Sequence, residues 1–257
     1  MHHQHRGIKT GRQRKRTKRV ERPSHGDLLL VNYPRNRHVL ASRFGVCDKY
    51  ASGESLWKWV SRVAGLKQSV IRFPAEFSDP NGRKFAMTLD CRDHKCWEKK
   101  HPQYNLDRSW SSKKHGMHAG FKYALGVAIY YDQICWISGP YKATRHNLTI
   151  FRNDGLKEIW NRDFNNKYIV VDLGGCSSEN DEKMLAPPSS RDPLPLKKMK
   201  SLARCREEDV NGRMSRFKSL THEFVHTKEK HGLCYTAVAV MIQYQFNCGD
   251  AYLPKMW

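Results

Sequence analysis

The sequence lacks a long apolar run: none approaches the ~18 to 20 residues that a membrane-spanning helix needs. The first 22 residues are far too polar for a secretory signal. The eight cysteines are scattered, without the dense spacing of a small disulfide scaffold, so free thiols are the simpler expectation. These absences argue against a membrane or secreted protein and favour a cytosolic or nuclear one.

Acidic residues are also scarce. Forty-six Lys and Arg stand against 25 Asp and Glu, a formal net charge of +21. Without the first 22 residues, which hold nine basic residues and one acid, 37 basic residues remain against 24 acidic ones. The rest of the chain is therefore itself cationic, and a phosphate backbone is its natural partner.

The N-terminus is predicted to be a disordered basic tail over residues 1–25, because it has no apolar periodicity. Its run of basic residues suits nuclear import, and hence a location in the nucleus, or an arm lying along DNA. A merely solubilising tail is the alternative. The DNA-contact candidates here are Arg12, Arg14, Lys15, Arg16, Lys18 and Arg19.

Hydrophobic periodicity predicts the order of the remaining elements. These are a helix within Tyr50–Val70, a strand Phe85–Asp90, a hairpin Phe121–Tyr131 and Ile134–Ser138, a helix Leu148–Trp160, a strand Tyr168–Asp172, an exposed loop Cys176–Pro195, a helix from Leu196 to about Leu220, and a final helix Tyr235–Phe246. This order favours an α/β fold, a ribonuclease-H-like mixed sheet flanked by helices. We expect a short helical segment over 26–75, a remnant of a DNA-binding module, and an endonuclease-like domain over 76–257.

Three acids stand out against this layout. Asp90 and Asp172 each end an apolar strand, and Glu208 lies on the basic helix that follows. If they converge, three carboxylates can hold two divalent cations, and hard cations such as Mg²⁺ prefer oxygen ligands. Asp90, Asp172 and Glu208 are therefore the predicted catalytic and metal-binding residues. Solvated strand-end acids, and for Glu208 a surface ion pair with Arg204, are the alternatives.

Five motifs, in register, resemble the DDE endonuclease domain of Harbinger-type transposases. Each motif is weak alone, but together they run from about Gly45 to about Tyr252. They are Leu89–His94 with Glu98, Tyr123–Val127, Ile134–Tyr141, Val171–Gly174 and Arg204–Arg213. The resemblance implies a ribonuclease-H-like core in which Asp90, Asp172 and Glu208 bind two Mg²⁺ or Mn²⁺ ions and cut or join strands of double-stranded DNA.

Several positions depart from the family pattern. Cys91 and Arg92 follow the first aspartate, Ala124 and Asn147 replace acids, and Gly175 replaces a tyrosine. Such changes around metal ligands can cost ~10 to 100-fold in metal affinity or activity. A domesticated protein that binds DNA without cutting it is therefore the alternative function, and a subunit that recruits a separate DNA-binding partner is a third. Homo-oligomerisation stays open.

The remaining DNA-contact candidates lie in two places. A basic loop after the first strand carries Lys113 and Lys114, and the basic helix carries Arg204, Arg206, Asn211 and Arg213. A zinc site formed by Cys91, His94, Cys96 and His101 is disfavoured, because their spacing is not that of a zinc finger and side chains alternate along a strand.

Overall fold

A mixed sheet with helices on both faces forms the architecture of the protein, which we describe from a computed structural model over residues 54–96, 111–112, 118–171 and 184–249. Strand β1 (Phe85–Lys95) lies in the middle of the sheet. Antiparallel β3 (His118–Ala128) pairs with one of its edges and parallel β5 (Tyr168–Val171) with the other. The sheet therefore joins an antiparallel half to a parallel half along β1.

The outer strands complete the sheet. Strand β4 (Ile134–Lys142) pairs antiparallel with β3, and the two-residue β2 (Ser111–Ser112) pairs with the first residues of β3. At the other edge, the two-residue β6 (Met184–Leu185) runs parallel to β5. The order of the five main strands is thus β4, β3, β1, β5, β6.

Strand β1 alternates between two environments because successive side chains of a strand point to opposite faces. On one face Met87, Leu89 and Cys91 join a buried cluster with α3 (Asn147–Asn153) and α4 (Leu156–Asp163). The other face is covered by helices α5 (Leu194–Met214), α6 (Lys218–Thr221) and α7 (Lys228–Asn247). One strand thereby supports both halves of the core.

The two N-terminal helices pack on this domain. Helix α1 (Glu54–Gly65) is followed by the short α2 (Lys67–Val70) and a 3-10 turn, Ala75–Ser78. Val60 and Ala64 of α1 are buried in one cluster with Val238 and Ile242 of α7. This part of the expected 26–75 segment therefore shares its core with the sheet domain.

The predicted element order is confirmed, but several bounds differ. Strand β1 runs through Lys95, five residues beyond its expected end at Asp90, and the helix expected to reach about Leu220 ends at Met214. Residues Leu148–Trp160 form two helices, separated at Gly155, which adopts the left-handed conformation (φ 79°) that favours glycine. Strand β4 continues through Gly139 and Pro140, where a stop was expected. The expected loop Cys176–Pro195 contains β6, and the final helix begins seven residues earlier, at Lys228.

Two further findings bear on the class of protein. No helix among the described residues is both long and apolar enough to cross a membrane. The six cysteines within those ranges are free thiols, as expected from their spacing. The predicted disordered tail, residues 1–25, lies outside the described residues.

Candidate metal and nucleic-acid site

A cleft of about 860 Å³ opens beneath α5, beside the middle of β1 and the last residues of β5. Four acids line it together with three basic residues. They are Asp90, Asp93, Glu207 and Glu208, and Arg92, Lys200 and Arg204. A concave site that combines carboxylates with cationic side chains has the chemistry to hold a cation and an anionic ligand side by side.

Asp90 lies on the α5 side of β1, in the alternation that also includes Thr88 and Arg92. Its side chain is half-buried. Strands β1 and β5 are paired in parallel up to Leu89 and Val171, and Asp90 is the next residue of β1. In the sequence, Asp172 follows Val171. Asp172 itself lies outside the described residues.

Helix α5 presents its three consecutive acids in three directions, because each residue turns an α-helix by about 100°. Glu207 faces β1: its Oε2 accepts a hydrogen bond from the Thr88 hydroxyl at 3.3 Å. Glu208 is exposed and pairs with Arg204, Nε to Oε1 2.9 Å. Asp209 pairs with Arg213 at 3.1 Å. Glu207 is thus the acid of this run that contacts the central strand.

The contact between Glu207 and β1 was not apparent in the sequence. Three neighbouring acids look alike along a chain, and only the helix orientation distinguishes them. A signal was available in the spacing to Asn211, since residues four apart share a helix face. Asn211 Nδ2 donates to Glu207 Oε1 at 3.2 Å. The prediction of Glu208 as the metal ligand stays a prediction.

Asn211 is not on the side of the helix where the sequence placed it. It was expected beside Arg204 and Glu208, away from the apolar stripe, but it is 9% exposed and lies on the side of the helix that faces the sheet. Its backbone carbonyl accepts from Arg92 Nη1 at 3.2 Å and from the Ser215 hydroxyl at 2.7 Å. The three residues from Glu208 to Asn211 rotate the helix by about 300°, which carries Asn211 toward the sheet.

Two of the predicted DNA-contact arginines are buried. Arg206 is 3% exposed, and its Nη1 donates to the Tyr131 carbonyl at 3.3 Å and to Asp132 Oδ1 at 3.2 Å. Burial lowers the pKa of Arg206, and the charge of Asp132 opposes that shift. Arg213, also buried, pairs with Asp209 and stacks over the ring of Phe246. These side chains join elements of the fold, so they are not part of the proposed DNA surface.

The other basic candidates fall into two groups. Arg204 is exposed at the cleft. Eight others lie outside the described residues, namely Arg12, Arg14, Lys15, Arg16, Lys18, Arg19, Lys113 and Lys114.

The cleft also contains a lysine that the sequence did not single out. Lys200 is buried, and its Nζ pairs with Asp192 Oδ2 at 3.0 Å. Asp192 also accepts from the backbone N–H of Ser189, and these bonds lower the pKa of its carboxyl group. Lys200 thereby attaches the 189–192 turn to α5. No periodicity or motif in the sequence indicated this pair.

A zinc site among Cys91, His94 and Cys96 is not formed. Cys91 is buried on the α3–α4 face of β1, whereas His94 lies on the opposite face, with Nδ1 2.8 Å from the Leu220 carbonyl oxygen. Cys96 belongs to the cluster on the helix α7 side. Cys91 therefore lies on the opposite face of the sheet from His94 and Cys96, and His101 lies outside the described ranges.

Four of the five departures from the family pattern lie among the described residues. Cys91 and Ala124 are paired across β1 and β3, and both are buried in the cluster beneath the sheet. Arg92 reaches the helix rather than lying free beside Asp90. Asn147 is the first residue of α3. Gly175 is not among the described residues.

The donor chemistry of the cleft suits a hard divalent cation, because Asp90, Glu207 and Glu208 offer carboxylate oxygens. Within the described ranges, no group of three or more His, Cys, Asp or Glu side chains is placed to hold a metal ion. The predicted third ligand, Asp172, does not belong to those ranges. No family model matches the chain, and no curated protein or solved structure matches it either.

Proposed function

We propose that this chain is a transposase-derived, metal-dependent endonuclease that acts on double-stranded DNA. The observation that carries the proposal is the position of one acid-lined cleft. It opens where the parallel pairing of β1 with β5 ends, at Leu89 and Val171, beside Asp90, and α5 brings Glu207 and Glu208 to the same cleft.

The connectivity of the sheet supports a ribonuclease-H-like fold. Strand β1 is followed by the β3–β4 hairpin, two helices, the parallel strand β5 and the long helix α5. This is the order expected for that fold from the sequence. Asp90 of β1 and the acids of α5 are the described residues to which we extend the catalytic roles that the resemblance to Harbinger-type transposases implies.

We propose that Asp90, Asp172 and Glu208 bind Mg²⁺ or Mn²⁺, with Glu207 beside them. Two such ions would activate the attacking oxygen and stabilise the leaving oxygen of a phosphodiester. The side chains of the protein would bind the ions and orient the phosphodiester. Glu207 is held by Thr88 and Asn211, so the C-terminal part of α5 is fixed against the strand that carries Asp90.

Nicking of supercoiled duplex DNA in the presence of Mg²⁺ or Mn²⁺ tests this proposal. Changes at ligands should exceed the ~10 to 100-fold losses caused by changes around a metal site. We therefore expect Asp90→Asn, Asp172→Asn and Glu208→Gln each to lower the nicking rate by more than about 100-fold. DNA binding measured in parallel should persist.

Asp163→Asn is the matched control. Asp163 is an acid at the end of α4, paired with Arg162 rather than with the cleft, and its replacement should leave the nicking rate unchanged. Nicking that persists at the wild-type rate in Asp90→Asn and Glu208→Gln contradicts the proposal.

A second function is favoured by the arginines of the cleft. The guanidinium group of Arg92 donates to the Asn211 carbonyl of α5, and Arg204, on α5 itself, pairs with the predicted catalytic Glu208. A domesticated protein that binds DNA or recruits a DNA-binding partner, but does not cut, would keep this cationic cleft. It would bind duplex DNA with a steep salt dependence and show no nicking with any divalent ion. We propose the nucleus as the location for either function.

A further inference from the structure

Arg204 and Glu208 form an exposed ion pair at the mouth of the cleft. The Nε to Oε1 distance is 2.9 Å, one helical turn separates the residues, and their side chains are 67% and 59% exposed. An ion pair in this setting is weak, because water competes for both charges. Either partner is therefore readily taken over by a stronger ligand.

The other two basic side chains of the cleft are more firmly held. Lys200 is buried, with its ammonium group on Asp192 at 3.0 Å. Arg92 donates to a backbone carbonyl at the end of α5. Among the basic side chains that line the cleft, Arg204 is thus the one whose partner is an exposed carboxylate.

We propose that Arg204 exchanges Glu208 for a DNA phosphate when a divalent cation binds Glu208. This inference rests on the proposed function. The cation takes the carboxylate and adds positive charge beside Arg204, so the pair loses its attraction. The released guanidinium can then bind phosphate in a bidentate manner.

The exchange makes cation binding and DNA binding cooperative. Without a cation, Glu208 neutralises Arg204, and the acids of the cleft repel the DNA backbone. With a cation, the repulsion falls and one more phosphate contact becomes available. Because linkage is reciprocal, DNA must then raise the affinity for the cation by the same factor.

Duplex binding measured by fluorescence anisotropy, with Mg²⁺ or with EDTA at constant ionic strength, tests the exchange. The quantity to compare is the ratio of the DNA affinities in the two buffers. We expect Arg204→Ala to lower this ratio about fivefold relative to wild type, the lower end of typical coupling. In Mg²⁺, the slope of log affinity against log salt should also fall by about 1, the value for one lost phosphate contact.

Two further variants separate the exchange from a general loss of charge. Glu208→Gln removes the competing partner, so DNA affinity in EDTA should rise above that of wild type. Arg162→Ala removes an equally exposed arginine whose partner is Asp163, at 2.7 Å, and should keep the wild-type ratio.

The outcomes distinguish this inference from the proposed function. An unchanged affinity ratio in Arg204→Ala, or an unchanged affinity of Glu208→Gln in EDTA, overturns the exchange even if nicking depends on Asp90. Absence of nicking in wild type rejects the nuclease, whereas the two affinity ratios still test the exchange of partners.

Discussion

At the scale of single residues, His231 is a fully buried titratable group on the α7 side of the sheet. It is 0% exposed, and its Nδ1 lies 2.7 Å from the Tyr123 hydroxyl. Its ring packs on Tyr123 and Phe224. Burial, and secondarily the charge of His94, hold the pKa of His231 well below its usual range. The folded protein therefore keeps this imidazole neutral.

The buried neutral imidazole makes the free energy of unfolding fall in acid. The unfolded chain binds a proton at His231 near pH 6.5, whereas the folded chain does not, so acid favours unfolding. The contribution of His231 is fully present above about pH 6.5, and as pH falls below that value it declines by up to ~1.4 kcal/mol per pH unit. The free energy of unfolding, measured with urea between pH 7.5 and 5.5, should follow this decline.

Replacement of the buried imidazole provides the check. His231→Gln keeps a hydrogen-bond partner for Tyr123 and removes the titration, so its stability should change less with pH than that of wild type. His222→Gln alters an exposed histidine and should retain the wild-type pH profile. Equal slopes in His231→Gln and wild type would exclude His231 as the cause.

At the scale of elements, the contact between β1, β3 and β4 depends on a glycine. Gly126 pairs with Leu89 on one side and Trp136 on the other. A Cβ at this position would lie 2.7 Å from Met87 Sδ and 3.0 Å from Trp136 Cβ. Met87 is fully buried, so its sulfur has little space to move.

Gly126→Ala should therefore lower the free energy of unfolding by about 1 to 3 kcal/mol, the usual cost of overpacking a core. Gly212→Ala is the matched control within α5, where a Cβ would meet nothing within 4 Å. It should raise the free energy of unfolding by about 0.5 to 1 kcal/mol, because alanine loses less conformational freedom in a helix. Chemical denaturation measures both values, and equal effects of the two changes would contradict this account.

Most helices and strands were predictable from the sequence, but some of their bounds were not. The buried strand β5 and the helices α5 and α7 have strong hydrophobic patterns that local residues determine. The length of β4 and the start of α7 depend instead on tertiary contacts. Lys142 at the end of β4 pairs with Phe121 of β3, and His231 near the start of α7 has its Nδ1 2.7 Å from the Tyr123 hydroxyl. Such contacts leave no periodic signal in a single sequence.

The candidate site was predictable only in part for the same reason. Asp90 was identified because it ends an apolar run, and the structure places it in the cleft, within β1 rather than at its end. The role of Glu207, the burial of Asn211 and the pairing of Lys200 depend on how α5 is rotated about its axis and on a turn eight residues away. That rotation is set by packing against the sheet, which charge and spacing do not encode.

At the scale of the whole molecule, the excess of positive charge governs DNA binding. Because the chain outside the first 22 residues still has 37 basic and 24 acidic residues, binding should survive their removal. We expect the chain lacking residues 1–22 to bind duplex DNA with a lower salt dependence. The slope of log affinity against log salt should fall by about 0.9 for each phosphate contact that the removed residues make.

Titration of both chains into labelled duplex over a range of salt concentrations measures these slopes. A control chain, in which the basic residues of this segment are replaced by glutamine, should behave like the shortened chain. Complete loss of binding in the shortened chain would instead place all DNA contacts in the removed segment.

The pairing of β1 with β5 restricts where the chain tolerates changes in length. From Phe85 to Met87, β1 advances two residues while β5 advances one, from Tyr168 to Ile169, so Ala86 is the additional residue. An insertion in the Asp79–Gly82 turn, ahead of β1, leaves this pairing in register. One residue added or removed between Met87 and Asp90 would reverse the alternation, turning the carboxylate toward α3 and α4 and Leu89 into the cleft. Natural length variants of this protein should therefore leave those four positions uninterrupted.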